Sequence, residues 1–233
     1  MRNQKKDALE MAARRQKILE TGFKLFSEKT IAAVTMNNVA DACGIGVATL
    51  YRYFRTKPAL VMAIATWLWE NYANENIKIA NDTEKSFRSA AERYAFFIDT
   101  FIELYRNHKD MLRFNQLFNI YVRSEKIPPV LLQAYTSMID TLAGRFREIV
   151  MNGHMDGSIR ADVSPQVLFS TTIHLMLATT TRYAFGLVYA PEGGGEAERE
   201  LMLLRQMLIA EFTNAGECNF SPDLDQKSVR KTG

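Results

Sequence analysis

A short stretch near the amino terminus combines small, hydroxylic and cationic side chains at helical spacing. Ala48, Thr49, Arg52 and Arg55 share one side of a predicted helix, whose other side is an apolar stripe formed by Val47, Leu50, Tyr51 and Phe54. Hydroxyl and guanidinium groups donate hydrogen bonds to phosphate oxygens and to the acceptor atoms of guanine. The polar side therefore suits a groove of DNA, and the apolar stripe would hold the helix against the protein.

A second short helix is predicted just before this one. Its apolar residues recur at i, i+3, i+4 and i+7, as Met36, Val39, Ala40 and Cys43. A glycine turn over residues 44–46 separates the two helices, and together they predict a helix-turn-helix. Thr35 is placed to cap the first helix. Because Asn38, and not Glu or Gln, stands three residues later, we predict no full capping box.

The flanking segments complete the predicted domain organisation. An apolar face predicts a helix over residues 14–29, and the polar, basic residues 1–13 predict a mobile arm. Proline favours the first turn of a helix and disfavours helix before it, so Lys57-Pro58 ends the module and starts a new helix. We therefore predict a DNA-binding domain over 1–57, a helical domain over 58–216 and a disordered tail over 217–233.

The charge of the chain is unevenly distributed. The net charge is +3, yet residues 1–60 contain 11 Lys and Arg against 5 Asp and Glu, whereas the remainder contains 18 against 21. A basic excess at the end that holds the helix-turn-helix favours a polyanionic partner there, although plain solubilisation also accounts for an excess of this size.

These residues resemble the TetR family of bacterial transcriptional regulators. The resemblance covers residues 14–65 and follows the family's succession of Thr, an apolar pair, Ala-Gly-Val-Ser, Thr-Leu-Tyr, Tyr-Phe and Lys. Here the pattern is carried by Thr35, Val39-Ala40, Cys43-Gly44-Ile45, Thr49-Leu50-Tyr51, Tyr53-Phe54 and Lys57. Three residues depart from it: Thr30 stands where Gly is common, Gly46 where Ser is usual, and Ala48 where Gly is usual. The Gly46 change removes a side-chain cap and a phosphate hydrogen bond.

The resemblance implies a role for each side chain on DNA. The positions that contact phosphate oxygens in the family are occupied by Thr35, Thr49, Tyr53 and Lys57. The base-facing or base-flanking positions are occupied by Val47, Ala48, Tyr51 and Arg52. Of the latter, only Arg52 carries the paired donors that match guanine. Two assignments stay open, because Tyr51 also fits the core and Arg52 also fits a phosphate contact.

The remaining sequence predicts helices only. Helical periodicity covers residues 58–80, 84–106, 110–124, 129–152, 165–188 and 196–214, with breaks at 127–129, 153–164 and 190–195. No segment shows strand alternation bounded by hairpin signals. The predicted fold class is all-α, with a three-helix helix-turn-helix domain followed by a larger helical domain.

The larger domain exceeds what dimerisation requires, which favours a pocket for a small, largely apolar effector. Its candidate lining residues are aromatic side chains, Met and one His: Trp67, Phe97, Phe101, Tyr105, Phe114, Phe118, Tyr121, Met138, His174, Met176 and Tyr183. Each of them also fits an ordinary core, and His174 also fits a hydrogen-bonded core histidine.

The resemblance further implies a homodimer that binds a palindromic operator, with the last two helices forming the interface. The apolar rows that would meet the second copy contain Leu168, Ile173, Leu201, Leu204, Leu208 and Phe212. An internal core accounts for these rows equally well. In the family mechanism the effector shifts the helix that starts at Pro58 and changes the spacing of the two recognition helices.

Other classes of function are disfavoured by the sequence. Cys43 and Cys218 lie far apart and beside no His, which argues against a disulfide framework or a zinc cluster. No nucleophile–base pair, cofactor fingerprint, export signal or membrane-spanning run is evident. We therefore predict a cytoplasmic, non-enzymatic repressor without cofactor or metal. The alternatives are a DNA-binding regulator that works without a small-molecule effector and, from another class, a helical carrier or enzyme.

Overall fold

The structure, a computed structural model, describes residues 4–83, 87–186 and 196–214. Within these ranges the chain is all-α, as predicted, apart from one isolated bridge between Ile159 and Thr213. The helices are α1 (Gln4–Glu28), α2 (Met36–Cys43), α3 (Val47–Tyr53), α4 (Lys57–Thr83), α5 (Ala90–Asn107), α6 (Lys109–Ser124), α7 (Pro129–Asp156), α8 (Pro165–Phe185) and α9 (Glu196–Phe212). None of these helices has the length and apolar character needed to cross a bilayer.

Several helix boundaries differ from the prediction. α1 begins at Gln4, so the prediction of a mobile arm is wrong from residue 4 onward. α7 continues through residues 153–156, which were expected to form a break, and it ends at Gly157, whose φ of 74° favours glycine. α5 begins at Ala90, later than the expected residue 84. The predicted loop at 190–195 and the predicted tail at 217–233 lie outside the described residues.

The amino-terminal core joins α1, α2, α3 and α4 to one face of α6. The predicted apolar period of α2 is confirmed, since all four of its repeating residues are buried. α4 adds Leu60 and Ile64, and α6 adds Phe114, Phe118 and Tyr121. Because α6 comes from the larger predicted domain, the core crosses the predicted boundary at residues 57–58.

A second core joins α5, α7, α8 and α9 around Tyr94 and Phe146. The Tyr94 ring packs edge-on against Phe146, with 6.0 Å between ring centres, and its hydroxyl shares a 2.9 Å hydrogen bond with Thr172. Arg205 of α9 is 5% exposed and donates from Nη2 to Asp99 Oδ2 of α5 at 3.0 Å. A buried guanidinium needs such a carboxylate, so this pair fixes α9 on α5.

Candidate DNA-binding surface and ligand cavity

A capping box begins α2 and fixes the entry into the helix-turn-helix. The Thr35 hydroxyl accepts a hydrogen bond from the Asn38 amide at 3.2 Å, and Asn38 Oδ1 accepts one from the Thr35 amide at 2.8 Å. The prediction that no full capping box forms is therefore wrong, because the shorter Asn side chain reaches back as Glu or Gln does. Two amide groups that the start of a helix leaves without partners are thereby satisfied.

The turn between α2 and α3 depends on Gly44. Its φ of 67° lies in the left-handed region, and its amide donates to the carbonyl oxygens of Ala40 and Asp41. Gly46 then precedes α3, and its carbonyl accepts from the Thr49 amide at 2.8 Å. Gly46 provides no side-chain cap, in agreement with the sequence. α3 is consequently held mainly by its buried side chains.

α3 turns one face into the core and the other to solvent. Leu50 is fully buried and Phe54 is 5% exposed, whereas Val47 and Tyr51 are 39% and 45% exposed. Val47 and Tyr51 thus lie outside the buried part of the apolar stripe, on the side that the resemblance assigns to bases. A seven-residue helix makes about two turns, so one narrow contact suffices to hold it. The exposed face of α3 consists of Val47, Ala48, Tyr51 and Arg52, and Arg55, which was predicted to share this side of the helix, lies two residues beyond its end.

The exposed face of α3 carries positive charge that no carboxylate balances. Arg52 and Arg55 form no ion pair with any residue that the structure describes. Asp41 is the one acidic residue between positions 29 and 57. Arg15 of α1 lies close by, with its guanidinium carbon 5.4 Å from the centre of the Phe54 ring. An arrangement of this kind attracts phosphate groups.

The residues expected to contact phosphates differ in exposure and in whether their hydroxyl groups already form hydrogen bonds. Thr35 is exposed, but its hydroxyl already donates to Asn38 Oδ1 at 2.8 Å. Thr49 and Tyr53 are partly buried. Their contacts with DNA stay predictions, and a contact from Thr35 requires its hydroxyl proton to turn away from Asn38.

Lys57 joins three elements of the protein. Its Nζ donates to the Ala32 carbonyl, in the turn before α2, at 3.2 Å. The same atom lies 5.8 Å from the centre of the Tyr121 ring on α6. Burial lowers the pKa of Lys57, and the Glu125 carboxylate opposes that shift. The phosphate contact stays a prediction, and the structure adds an internal role at the meeting point of α4, α6 and the helix-turn-helix.

A cavity of about 610 Å³ lies between α4, α5, α6, α7 and α8. This volume is typical of small-molecule sites. Of the residues expected to line a pocket, Phe97, Phe101 and His174 do so. Sequence reasoning missed further aromatic and amide side chains in the lining, among them Trp69, Tyr72, Asn115, Tyr135, Phe146 and Phe169.

One wall of the cavity is the middle of α4, where helical spacing in the sequence indicates a shared face. Its residues recur at helical spacing, as Trp69, Tyr72, Ala73, Asn76, Ile77 and Ala80. An amide such as Asn76 within an apolar row needs a hydrogen-bond partner when it is buried. Asn76 meets that need by donating to the Tyr72 carbonyl at 2.9 Å.

The other residues expected to line a pocket lie elsewhere. The amino-terminal core and its edge take up Trp67, Phe114, Phe118 and Tyr121. Met176 is fully buried in the second core, and Met138 lines a small adjoining recess. Tyr105 and Tyr183 contact each other, with 6.2 Å between ring centres. Periodicity identifies a buried face, but the neighbouring helices decide whether that face meets atoms or empty space.

Polar groups in the cavity are only partly paired. Trp69 Nε1 donates to Asn115 Oδ1 at 3.3 Å, and the Tyr72 hydroxyl donates to the Thr100 carbonyl. The Tyr135 hydroxyl has no hydrogen-bond partner among the described residues. Burial raises the pKa of Tyr135 to about 12, so this phenol remains a neutral donor at physiological pH. The described part of the chain contains no cluster of side chains that could hold a metal ion.

The residues expected at a dimer interface lie inside the subunit. Those buried in the second core are Leu168, Leu201, Leu208 and Phe212. Leu204 packs against that core, and Ile173 lines the cavity. The same two helices expose a different apolar row, each member between 43% and 60% exposed, which consists of Val167, Leu175, Phe185, Leu203 and Met207. We refer to this row as the outer row of α8 and α9.

The helix-turn-helix also identifies the family. Residues 18–64 match the model of the family described as bacterial regulatory proteins, tetR family. The match contains the capping box, the glycine turn and the exposed face of α3. These residues form the amino-terminal domain of the TetR family.

Relatives and solved structures extend the comparison beyond this TetR domain. YerO of Bacillus subtilis, described as an uncharacterized HTH-type transcriptional regulator, is 26% identical over 117 residues, which are 50% of this chain and 40% of YerO. This chain thus matches less than half the length of that relative.

Two solved structures share the fold over most of the chain. A transcriptional regulator from Saccharomonospora viridis in complex with choline has a TM-score of 0.68 and 16% identity, and the match covers 88% of this chain and all of that one. AibR in complex with isovaleryl coenzyme A and operator DNA has a TM-score of 0.64 and 19% identity, over 84% of this chain and 98% of AibR. At such identities the likeness establishes the fold alone.

Proposed function

We propose that this TetR family member is a homodimeric transcriptional repressor that binds a palindromic operator through α2 and α3 and is released by a small effector held in the cavity. The observation that carries the proposal is the exposed face of α3 with Arg52, and with Arg55 just beyond the end of the helix, since neither guanidinium has an ion-pair partner in the described residues. A solvent-facing short helix that bears these groups on it and just after it suits the major groove.

In this proposal the side chains of α3 divide into two groups. Arg52 pairs with the N7 and O6 acceptors of a guanine, and Val47, Ala48 and Tyr51 contact base edges and thymine methyl groups. Phosphate contacts come from Thr35, Thr49, Tyr53 and Lys57, and they set the register of the protein on the duplex. Specificity then rests on few side chains, because Ala48 has no donor and Gly46 has no side chain.

Dimerisation gives the operator its two-fold symmetry. The outer row of α8 and α9 is an apolar surface that a second copy could cover. A two-fold interface is self-complementary and sets two recognition helices one DNA turn, or a multiple of it, apart. The domain boundary at residue 57 fits this arrangement, since α4 starts there and leads from the DNA-reading end to the cavity.

Two helices can carry the effector signal. α4 begins beside α3 and lines the cavity with Trp69 and Tyr72. α6 lines it with Asn115 and Asn119, and on the adjoining face packs Phe118 into the amino-terminal core. An effector that prefers one arrangement of α4 and α6 shifts the population toward it, and DNA must weaken effector binding by the same factor.

The comparisons support regulation as the role of the whole chain. AibR is a protein of this fold solved with both a ligand and operator DNA, and YerO is named as a transcriptional regulator. The cavity favours a ligand-responsive regulator over one without an effector. We infer a non-enzymatic protein of the bacterial cytoplasm, where operator DNA lies.

Fluorescence anisotropy tests the proposal directly. Labelled duplexes tiling the DNA that flanks the protein's own coding region are compared with scrambled duplexes of the same composition, at several salt concentrations. We expect one flanking duplex to bind at least about 1,000-fold tighter than its scrambled partner at physiological salt. Equal affinities for all duplexes would contradict a sequence-specific operator.

A further inference from the structure

The cavity lining has a one-sided charge. Among the described residues it includes the guanidinium groups of Arg93 and Arg145 and the imidazole of His174, and it includes no Asp or Glu. From this lining we infer that the effector is an amphipathic organic anion, with an apolar body and one terminal carboxylate or phosphate group. The inference rests on the proposed effector role of the cavity and names the class of compound that fills it.

The apolar body is matched by a continuous aromatic wall. Phe146 lies between Phe97 and Phe169, with ring centres 4.8 Å and 5.2 Å away, and Phe101 extends the row at 5.4 Å from Phe97. These rings offer only carbon and hydrogen to the cavity. A hydrocarbon chain or ring system packed against them is removed from water at a gain of about 25 cal/mol per Å² of apolar surface.

The anionic group is matched by Arg145. This residue lines the cavity, is exposed to solvent, and forms neither an ion pair nor a hydrogen bond within the described residues. Arg160 and Arg205, by contrast, each pair with a carboxylate. Glu70 lines an adjoining recess together with Arg145 without pairing to it. The guanidinium of Arg145 can therefore donate two parallel hydrogen bonds to two oxygens of a ligand carboxylate or phosphate.

Unpaired neutral donors add to the match. Asn115 is 8% exposed and uses its side-chain oxygen for the Trp69 indole, which leaves its amino group facing the cavity. The Tyr135 hydroxyl also lacks a partner in the described residues. Groups of this kind favour a ligand that carries acceptors, because a buried donor without a partner costs free energy.

An organic cation is the opposing class, since aromatic rings also attract cations. Here the guanidinium of Arg93 already lies over one such ring, 5.9 Å from the centre of Phe87. A cationic ligand would meet the guanidinium of Arg145 and, among the described lining residues, no carboxylate, and a buried charge without a counter-charge is costly. The lining thus disfavours cations in spite of its aromatic character.

Calorimetric titration of the DNA-free protein with four decyl compounds tests the inference. Decanoate, decyl phosphate, decanol and decyltrimethylammonium share one apolar body and differ in head group, and each is used below its micellar concentration. We expect the two anions to bind, decanol to bind about 10-fold to 100-fold more weakly, and the ammonium compound to bind no better than decanol. Binding of only one anion would distinguish a carboxylate from a phosphate effector within the same class.

Variants locate the head group. Arg145→Gln should weaken decanoate about 10-fold and leave decanol unchanged, so that decanol reports on the integrity of the cavity. Arg147→Gln is the matched control, because Arg147 is exposed on the same helix and does not line the cavity. The inference would be overturned if the ammonium compound bound as tightly as decanoate or more tightly, or if neither anion bound. It would also be overturned if Arg145→Gln weakened decanoate and decanol equally. Operator binding by ligand-free protein, measured in parallel, separates this result from a failure of the proposed repressor function.

Discussion

The outer row of α8 and α9 yields a quantitative prediction about dimerisation. Leu203 is 56% exposed and Met207 is 60% exposed in the single chain. Complete burial of such a side chain contributes about 1.5–3 kcal/mol, so covering the exposed share of each contributes about 1–2 kcal/mol. Two-fold symmetry repeats both residues, and the pair therefore contributes about 4–8 kcal/mol to the dimer.

The double variant Leu203→Glu/Met207→Glu removes this contribution and adds four carboxylates to the proposed interface. Since association costs offset part of any area-based figure, we expect a dimer dissociation constant at least about 100-fold higher. Sedimentation velocity over a range of protein concentrations measures it. Operator affinity should fall in parallel, because a monomer engages one half-site only.

A matched control separates this effect from a general effect of surface charge. Ile120 on α6 and Val130 on α7 are 55% and 72% exposed, and neither residue belongs to the outer row of α8 and α9. Ile120→Glu/Val130→Glu adds the same charge and should leave the dimer intact. A wild-type dissociation constant for the outer-row variant, or equal dissociation of both variants, would refute the proposed interface.

Four further predictions concern DNA reading and stability. Arg52→Ala should relax preference at one base position by about 1–3 kcal/mol, measured by anisotropy with single-base operator variants. Lys57→Ala should weaken binding to all duplexes and lower the slope of log affinity against log salt concentration by about one per half-site, measured in the same assay. An unchanged slope would remove Lys57 from the phosphate contacts. Gly153→Ala should destabilise the fold by about 1–3 kcal/mol, because a Cβ there would lie 2.5 Å from Ile159. Gly144→Ala, whose Cβ would meet nothing within 4 Å, should be neutral or stabilising in the same urea titration. Burial raises the pKa of Asp156, but hydrogen bonds from Ser158 and Ala90 outweigh it and hold the pKa below its ordinary value. Its stabilisation is therefore present at neutral pH and lost as the pH falls through that lowered pKa, so the stabilities of wild type and Asp156→Ala should converge in acid.

Local patterns were enough to predict the helix-turn-helix. The period of α2, the left-handed glycine of the turn and the start of a helix near Pro58 are all determined by residues within one or two turns of each other. Even so, the capping box depended on how far Asn38 reaches, and the exposure of Tyr51 depended on how little of α3 is covered. Both require neighbouring atoms to be in place.

The all-α class and the family, in short, follow from the sequence itself, because periodicity and turn residues act over short distances along the chain. The cavity and the proposed interface followed only from the tertiary structure. Phe118 and Phe97 look alike in sequence, yet Phe118 fills the amino-terminal core and Phe97 borders the cavity. Leu201 and Leu203 lie two positions apart on α9, and one is buried while the other is exposed. An apolar helix can bury more than one face, and only the packing of the surrounding helices decides which face meets the core, a cavity or solvent.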